Sequence, residues 1–143
     1  GQREAVEQAV ERAKEKGYRK AILLPVSAPF HCRLMAPAEA RLKVDLDGLA
    51  FADLAMPLVT NVDARLISTG AAARDSLVRQ VTGPVRWWDS MEQLLREEVT
   101  TFIEVGPKNV LSGMLKKAGP ELRLAAVEKI KDIEALFESL GIH

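Results

Sequence analysis

Short apolar runs alternate with helix-length amphipathic segments along this chain, and that alternation restricts its fold more than any other feature. Ala21-Ile22-Leu23-Leu24-Pro25-Val26 and Thr101-Phe102-Ile103-Glu104-Val105 read as buried strands. Met56 to Val62 is β-like and leaves through turn chemistry at Asn61 to Asp63, and Leu122 to Val127 reads as a last strand. Around them, Ala5, Val6, Ala9, Val10 and Ala13 fall on one helical face, stopped at Lys16-Gly17. Further helices are predicted over Met35–Leu46, with Pro37 in the first turn, and over Ala71–Val81, ended by Gly83-Pro84. Another runs from Trp88 or Asp89 to Glu98, capped by Asp89 or Ser90, and two more cover Lys108–Lys117 and Lys131–Leu140. Leu49 to Leu54 fits either state. Strands alternating with helices predict an α/β protein with a parallel-type sheet and helices packed on it.

Composition narrows the class of partner. Twenty basic and twenty acidic side chains cancel, so there is no global field to draw nucleic acid or an anionic membrane. One cysteine builds no disulfide framework and points to a reducing compartment, the cytoplasm. No apolar run approaches the ~20 residues needed to cross a bilayer, and the first helix is too charged for a signal peptide. At 143 residues the chain is of single-domain size. It opens on Gly1 directly into a helix and strand, half of a βαβ unit, which predicts that an amino-terminal part precedes it.

His31 stands where an apolar run gives way to the loop Ser27-Ala28-Pro29-Phe30, the position at which α/β proteins gather their ligands. An imidazole titrating near pH 6.5 in its unperturbed state can take a proton from a hydroxyl and return it to a leaving group. On residue type alone a lone histidine is more often structural. Cys32 is an awkward nucleophile for it, since adjacent side chains diverge, and fits a small buried hydrophobe better. Ser27 lacks the G-x-S-x-G elbow that exposes a serine hydroxyl, and no such elbow occurs in the chain. No ligand spacing for a metal is present. Gly106-Pro107 reads as a tight turn, not as a phosphate cradle. Trp87-Trp88 fits packing better than ligand stacking, and His143 is terminal. Arg33, Arg41, Lys43, Lys108, Lys116 and Lys117 fit either a solvated face or a docking surface for an acidic partner.

The segment Val26-Ser27-Ala28-Pro29-Phe30-His31-Cys32, continuing to Leu34-Met35-Ala36-Pro37, resembles the active-site histidine segment of malonyl-CoA:acyl carrier protein transacylases. That family is related to the acyltransferase domains of polyketide synthases. Pro57-Leu58-Val59-Thr60-Asn61-Val62-Asp63-Ala64, Leu77-Val78-Arg79-Gln80 with Pro84-Val85-Arg86-Trp87, and Ile103-Glu104-Val105-Gly106-Pro107 with Val110-Leu111-Ser112-Gly113 agree in order.

The resemblance implies transfer of malonyl from malonyl-CoA, through a covalent malonyl-serine, to the phosphopantetheine thiol of acyl carrier protein in fatty acid biosynthesis. His31 matches the general base and acid, Gln80 the residue whose backbone carbonyl orients it, and Phe30 a position shaping the acyl pocket. No cofactor beyond the coenzyme A thioester substrate, no metal, no nucleic acid and no membrane is implied. The serine elbow, the oxyanion-hole donors and the arginine that holds the malonyl carboxylate would lie upstream of this sequence. Residues 1–28 would then be the second half of a small ferredoxin-like subdomain, and 29–143 the carboxyl-terminal part of a hydrolase-like core. The amino-terminal half would be a partner, and this chain alone would be inactive. The alternative is a non-catalytic fragment or carrier-protein docking module. Lys108-Asn109 departs from the Gly-Lys common after the Gly-Pro turn, which bears on the conformation of that loop.

Overall fold

Ala5, Val6, Ala9, Val10 and Ala13 lie in α1 (Arg3–Glu15), the first element of a computed structural model that describes residues 1–116, 118, 119 and 121–141. The helix stops at the expected pair. Gly17 takes φ +85°, its amide donates to the Lys14 carbonyl at 2.8 Å, and the Tyr18 amide donates to the Ala13 carbonyl at 3.0 Å. These bonds satisfy carbonyls that the last helical turn leaves open, and glycine adopts the required left-handed conformation without steric cost.

Residues 21–26 depart from the expected strand. They pair with no strand among the described residues, and Ile22 and Leu24 are 74% and 69% exposed. An apolar, branched composition suits a segment to a sheet, but a strand exists only where a neighbour takes its amides and carbonyls. The expected Met56–Val62 strand shrinks for a related reason. Only β1 (Leu58–Val59) pairs, antiparallel, with an unforeseen β2 (Leu66–Ile67), Leu58 opposite Ile67 and Val59 opposite Leu66.

A 3₁₀ turn over Arg33–Met35 leads into α2 (Ala36–Asp47), with Pro37 in its first turn. There the missing amide would have had no intrahelical partner. α3 (Gly70–Gln80) starts at Thr69, whose Oγ1 accepts from the Ala72 amide at 3.3 Å. A Cβ on Gly70 would fall 2.3 Å from the Phe51 carbonyl oxygen, so only glycine lets α3 begin against that segment. The Asp53 carboxylate accepts the Gly70 amide at 3.0 Å. α4 (Trp87–Arg96) begins ahead of both expected caps. Ser90 Oγ instead donates to the Arg86 carbonyl at 2.8 Å, and Asp89 accepts from Arg86 Nε at 2.7 Å. Small polar side chains in a first turn bond backward in this way when the helix starts upstream of them.

The second half shows the expected alternation directly. β3 (Thr101–Val105), α5 (Val110–Leu115), β4 (Arg123–Val127) and α6 (Ile130–Leu140) follow in order. β3 and β4 are parallel, in register from Thr101 opposite Arg123 to Val105 opposite Val127. The expected α5 was longer, and its last residue, Lys117, lies outside the described residues. Asp132, the third residue of α6, caps its start by accepting from the Glu128 and Lys129 amides at 3.0 and 2.8 Å, and the helix closes at Gly141 with φ +67°. The chain is α/β, and its described residues form one small antiparallel and one small parallel sheet. It forms two compact units, Gly1–Gln93 and a second from Leu94 onward. Buried apolar positions include Ala64, Ala73, Met91 and Leu115. Among the described residues no helix is long and apolar enough to cross a membrane.

Candidate active site

The turn that carries His31 is strained. His31 takes φ +58°, a left-handed conformation that non-glycine residues seldom adopt, although histidine is among those enriched there. Bonds on both sides hold it: Cys32 Sγ donates to the Pro29 carbonyl at 3.1 Å, and the Met35 amide donates to the Cys32 carbonyl at 2.9 Å. Cys32 is therefore turned toward Pro29 and half-buried, as expected of a packing residue. Strain of this kind persists only where the surroundings over-determine it, and it clusters at functional sites.

His31 Nδ1 lies 3.0 Å from the backbone carbonyl oxygen of Gln80. Gln80 closes α3, so its carbonyl is one of the last four that a helix leaves without an internal partner, at the negative end of the helix dipole. The Gln80 side chain points elsewhere. Its Nε2 donates to the Gly83 carbonyl at 3.0 Å and the Pro84 carbonyl at 3.3 Å, and sits 3.4 Å from His31 Nδ1. With both amide protons so directed, the partner of Nδ1 is an acceptor. Nδ1 therefore carries the ring proton, and Nε2 is the basic atom of the exposed imidazole.

The structure thus brings His31 and Gln80 together from positions 49 apart in sequence. Phe30 is 53% exposed and lines, with His31, Leu34, Val26 and Leu24, an open apolar depression that Ser27 also reaches. Among the described residues, no group of three His, Cys, Asp or Glu side chains is arranged to hold a metal. At Gly106-Pro107 the amides that begin α5 are already taken. Glu104 accepts from the Ser112 amide and Oγ, each at 2.8 Å, and from the Leu111 amide at 3.1 Å. The Ser112 amide above all holds the Glu104 carboxyl below its usual range. Trp88 Nε1 donates to Glu92 at 2.8 Å. Lys43 pairs with Asp47 at 2.5 Å, Arg33, Arg41 and Lys116 are exposed, and His143 lies outside the described residues.

Arg79 and Asp63, named above only within longer stretches, form a bidentate ion pair beside Gln80. Arg79 Nη1 and Nη2 donate to the two Asp63 oxygens at 2.6 Å each, and Nε donates to Asp75 at 2.7 Å. These bonds hold the Asp63 carboxyl below its ordinary value and raise the Arg79 guanidinium above its own. The Asp75–Arg79 pair is visible as an i,i+4 spacing. The Asp63 contact joins a turn to a helix, and no local spacing announces it.

No family model matches the chain. Proteins named malonyl CoA-acyl carrier protein transacylase are similar to nearly all of it. That of Bacillus subtilis (strain 168) is 42% identical over 140 residues, covering 98% of this chain and 44% of the relative. That of Escherichia coli (strain K12) is 40% identical over 138 residues, covering 96% and 45%. Among solved structures, an acyl-carrier-protein S-malonyltransferase from Burkholderia pseudomallei 1710b superposes with TM-score 0.90 at 40% identity, over 96% of this chain and 45% of that one. A malonyl-transacylase in complex with a type II PKS acyl-carrier protein superposes with TM-score 0.91 at 38% identity, over 97% and 45%. The chain spans about half the length of the relatives it matches.

Proposed function

We propose that this homologue of malonyl CoA-acyl carrier protein transacylases is the carboxyl-terminal portion of an acyltransferase of that kind, with His31 as its general base and acid. The observation that carries the reading is the 3.0 Å contact from His31 Nδ1 to the Gln80 carbonyl, in a chain 42% identical to one such enzyme.

In this reading His31 Nε2 takes the proton of a serine hydroxyl supplied by the preceding part of the whole protein. The serine oxygen bonds to the thioester carbon of malonyl-CoA. As the tetrahedral adduct collapses, the carbon–sulfur bond breaks and the imidazolium returns the proton to the coenzyme A thiolate. The second half runs in reverse with another thiol. His31 takes the proton of the carrier protein's phosphopantetheine thiol, sulfur attacks the malonyl-serine carbon, and the serine oxygen leaves with the proton. Throughout, the Gln80 carbonyl keeps the Nδ1 proton in place, so the imidazolium formed in each half is held in a fixed orientation. Phe30, in the depression beside His31, would wall the acyl group. Residues 1–28 would belong to a ferredoxin-like subdomain and 29–143 to the hydrolase-like core. The partners would be the coenzyme A thioester, acyl carrier protein and the amino-terminal half, in the cytoplasm.

The test is intact mass of the whole protein with and without malonyl-CoA, followed by malonyl transfer by His31→Ala. A gain of one malonyl group, and a loss of transfer of ~10²–10⁴-fold in the variant, is expected. A variant within tenfold of wild type would remove His31 from the mechanism. A species with the mass of this chain alone and no adduct would leave the docking-module reading.

A further inference from the structure

We infer that Arg79, bound to the Asp63 carboxylate in the β1–β2 turn, is a positioning residue that aims the Gln80 carbonyl at His31. The inference rests on the proposed acyl-transfer role of His31, but it concerns a different pair of residues.

A carbonyl at the end of a helix is a poor fixture by itself. Its last carbonyls have no intrahelical amide, and helix ends fray; after α3 the Gly83 amide takes the Arg79 carbonyl at 2.8 Å, while the Gln80 carbonyl meets the His31 ring. Gln80 ends α3, so the direction of its carbonyl depends on what anchors the residues beside it. Arg79 is the residue immediately before. Its guanidinium makes two parallel bonds to Asp63, at 2.6 Å each, and a third to Asp75, one turn back on α3, at 2.7 Å. A forked, bidentate pair fixes orientation as well as distance. The guanidinium is thereby fastened to the helix on one side and to the β1–β2 turn on the other.

That turn is itself closed. The Ala64 amide donates to the Thr60 carbonyl at 2.8 Å, and the Thr60 amide donates to the Arg65 carbonyl at 3.1 Å. The same turn also grips the chain on the far side of Gln80. The Arg86 amide donates to the Asn61 carbonyl at 2.8 Å, and Arg86 Nη1 donates to the Asp63 carbonyl at 3.3 Å. Gly83 packs so near Val62 that a Cβ there would lie 2.7 Å from its Cγ2. Residues 79 and 83–86 are thus held by 61–63, and the carbonyl that meets His31 lies between the two attachments.

The Arg79 and Asp63 side chains are 43% and 32% exposed. A pair so accessible to water adds little to stability unless, as here, it is bidentate and joined to a further carboxylate, so thermal unfolding is recorded beside the imidazole's own signals to separate positioning from stabilisation.

The experiment compares Arg79→Gln, Arg79→Lys, Asp63→Asn and the double variant Asp63→Asn/Arg79→Gln in the whole protein. It records the ¹⁵N shifts of the His31 ring, kcat and KM for malonyl-CoA, and thermal unfolding. Arg79→Gln and Asp63→Asn should each move the ring signals from the Nδ1–H form toward a mixture of tautomers. They should lower kcat about ten- to a hundredfold, the scale on which misplacement of a catalytic group acts, with KM and unfolding little changed. The double variant should be no worse than either single one, and Arg79→Lys, keeping one contact, should recover part of the loss. Unchanged ring signals in both Arg79→Gln and Asp63→Asn would overturn the inference. So would a loss of kcat that tracks a loss of folded protein. His31→Ala judges the acyl-transfer reading separately, since the tautomer signal needs no turnover.

Discussion

Gln80 meets His31 with its main chain, at 3.0 Å from Nδ1, while its side-chain amide bonds the carbonyls of Gly83 and Pro84. A catalytic imidazole is often held by a carboxylate, which brings a full charge. Here the acceptor is the carbonyl at the end of α3, which brings the partial negative charge of a helix terminus. The acceptor cannot be deleted by changing the side chain, so the glutamine's contribution lies in shaping the turn after α3.

Gln80→Ala should therefore be milder than loss of the imidazole. The carbonyl remains, and two side-chain hydrogen bonds of ~0.5–1.5 kcal/mol each are lost from a turn that water can reach. On the proposed acyl-transfer role, malonyl transfer by the whole protein should fall about tenfold or less, against the ~10²–10⁴-fold expected if His31 is its general base. Steady-state kinetics of the two variants side by side decide it. A loss in Gln80→Ala equal to that in His31→Ala would place the side-chain amide among the reacting groups.

Gly70 makes a prediction from packing alone. A Cβ on it would lie 2.3 Å from the Phe51 carbonyl oxygen and 2.6 Å from that of Ala52. Both are backbone atoms and cannot swing aside. Gly70→Ala should destabilise by about 1–3 kcal/mol, the usual cost of overpacking, despite alanine's better helix propensity of about 1 kcal/mol. Urea unfolding of the whole protein measures the difference. A variant as stable as wild type would mean that the 51–53 segment yields easily.

What could be read from the sequence divides along physical lines. β3, β4 and α6 were legible because their strands find each other within one short stretch, Thr101 pairing with Arg123 only 22 positions on. Residues 21–26 carry as clear a strand pattern, yet a strand is a relation between two segments and they have no described partner. β2 escaped because Leu66-Ile67 is too short to show a period. In the site, His31 stood out by chemistry and position, and Gln80 entered only through family resemblance. Asp63 and Arg79 were in view but unassigned, because a contact between a turn and a helix leaves no trace in local spacing.

Glu104 predicts a pH dependence. Its carboxyl is held below the ordinary value of 4.5, first by the Ser112 amide and then by the Ser112 hydroxyl and the Leu111 amide. A carboxyl depressed in the folded state adds stability that is fully present above the unfolded value. That stability is lost as pH falls from about 4.5 through the lower folded value. Glu104→Gln cannot titrate, so the gap in unfolding midpoint between wild type and variant should be widest near neutral pH and close as the solution is acidified below pH 4.5. A gap that stays constant across that range would show that folding leaves the proton affinity of Glu104 unaltered.

Lys108 occupies a place where glycine would be expected to do better. It takes φ +70°, just beyond Gly106-Pro107, and its amide donates to the Glu128 carboxylate at 3.3 Å. A side chain in the left-handed conformation costs roughly 1–2 kcal/mol. Glycine removes that strain but loses roughly 0.5–1 kcal/mol through the greater freedom of its unfolded chain. The strain is the larger of the two at the middle of each range, so Lys108→Gly should raise stability, by up to about 1.5 kcal/mol. The Glu128 contact uses the backbone amide and survives the change. Lys108→Ala is the control: it keeps the Cβ and the strain, and should leave stability near wild type. Thermal unfolding of both variants separates the cases. If alanine stabilises as much as glycine, the lysine side chain and not the backbone conformation is the source of the cost.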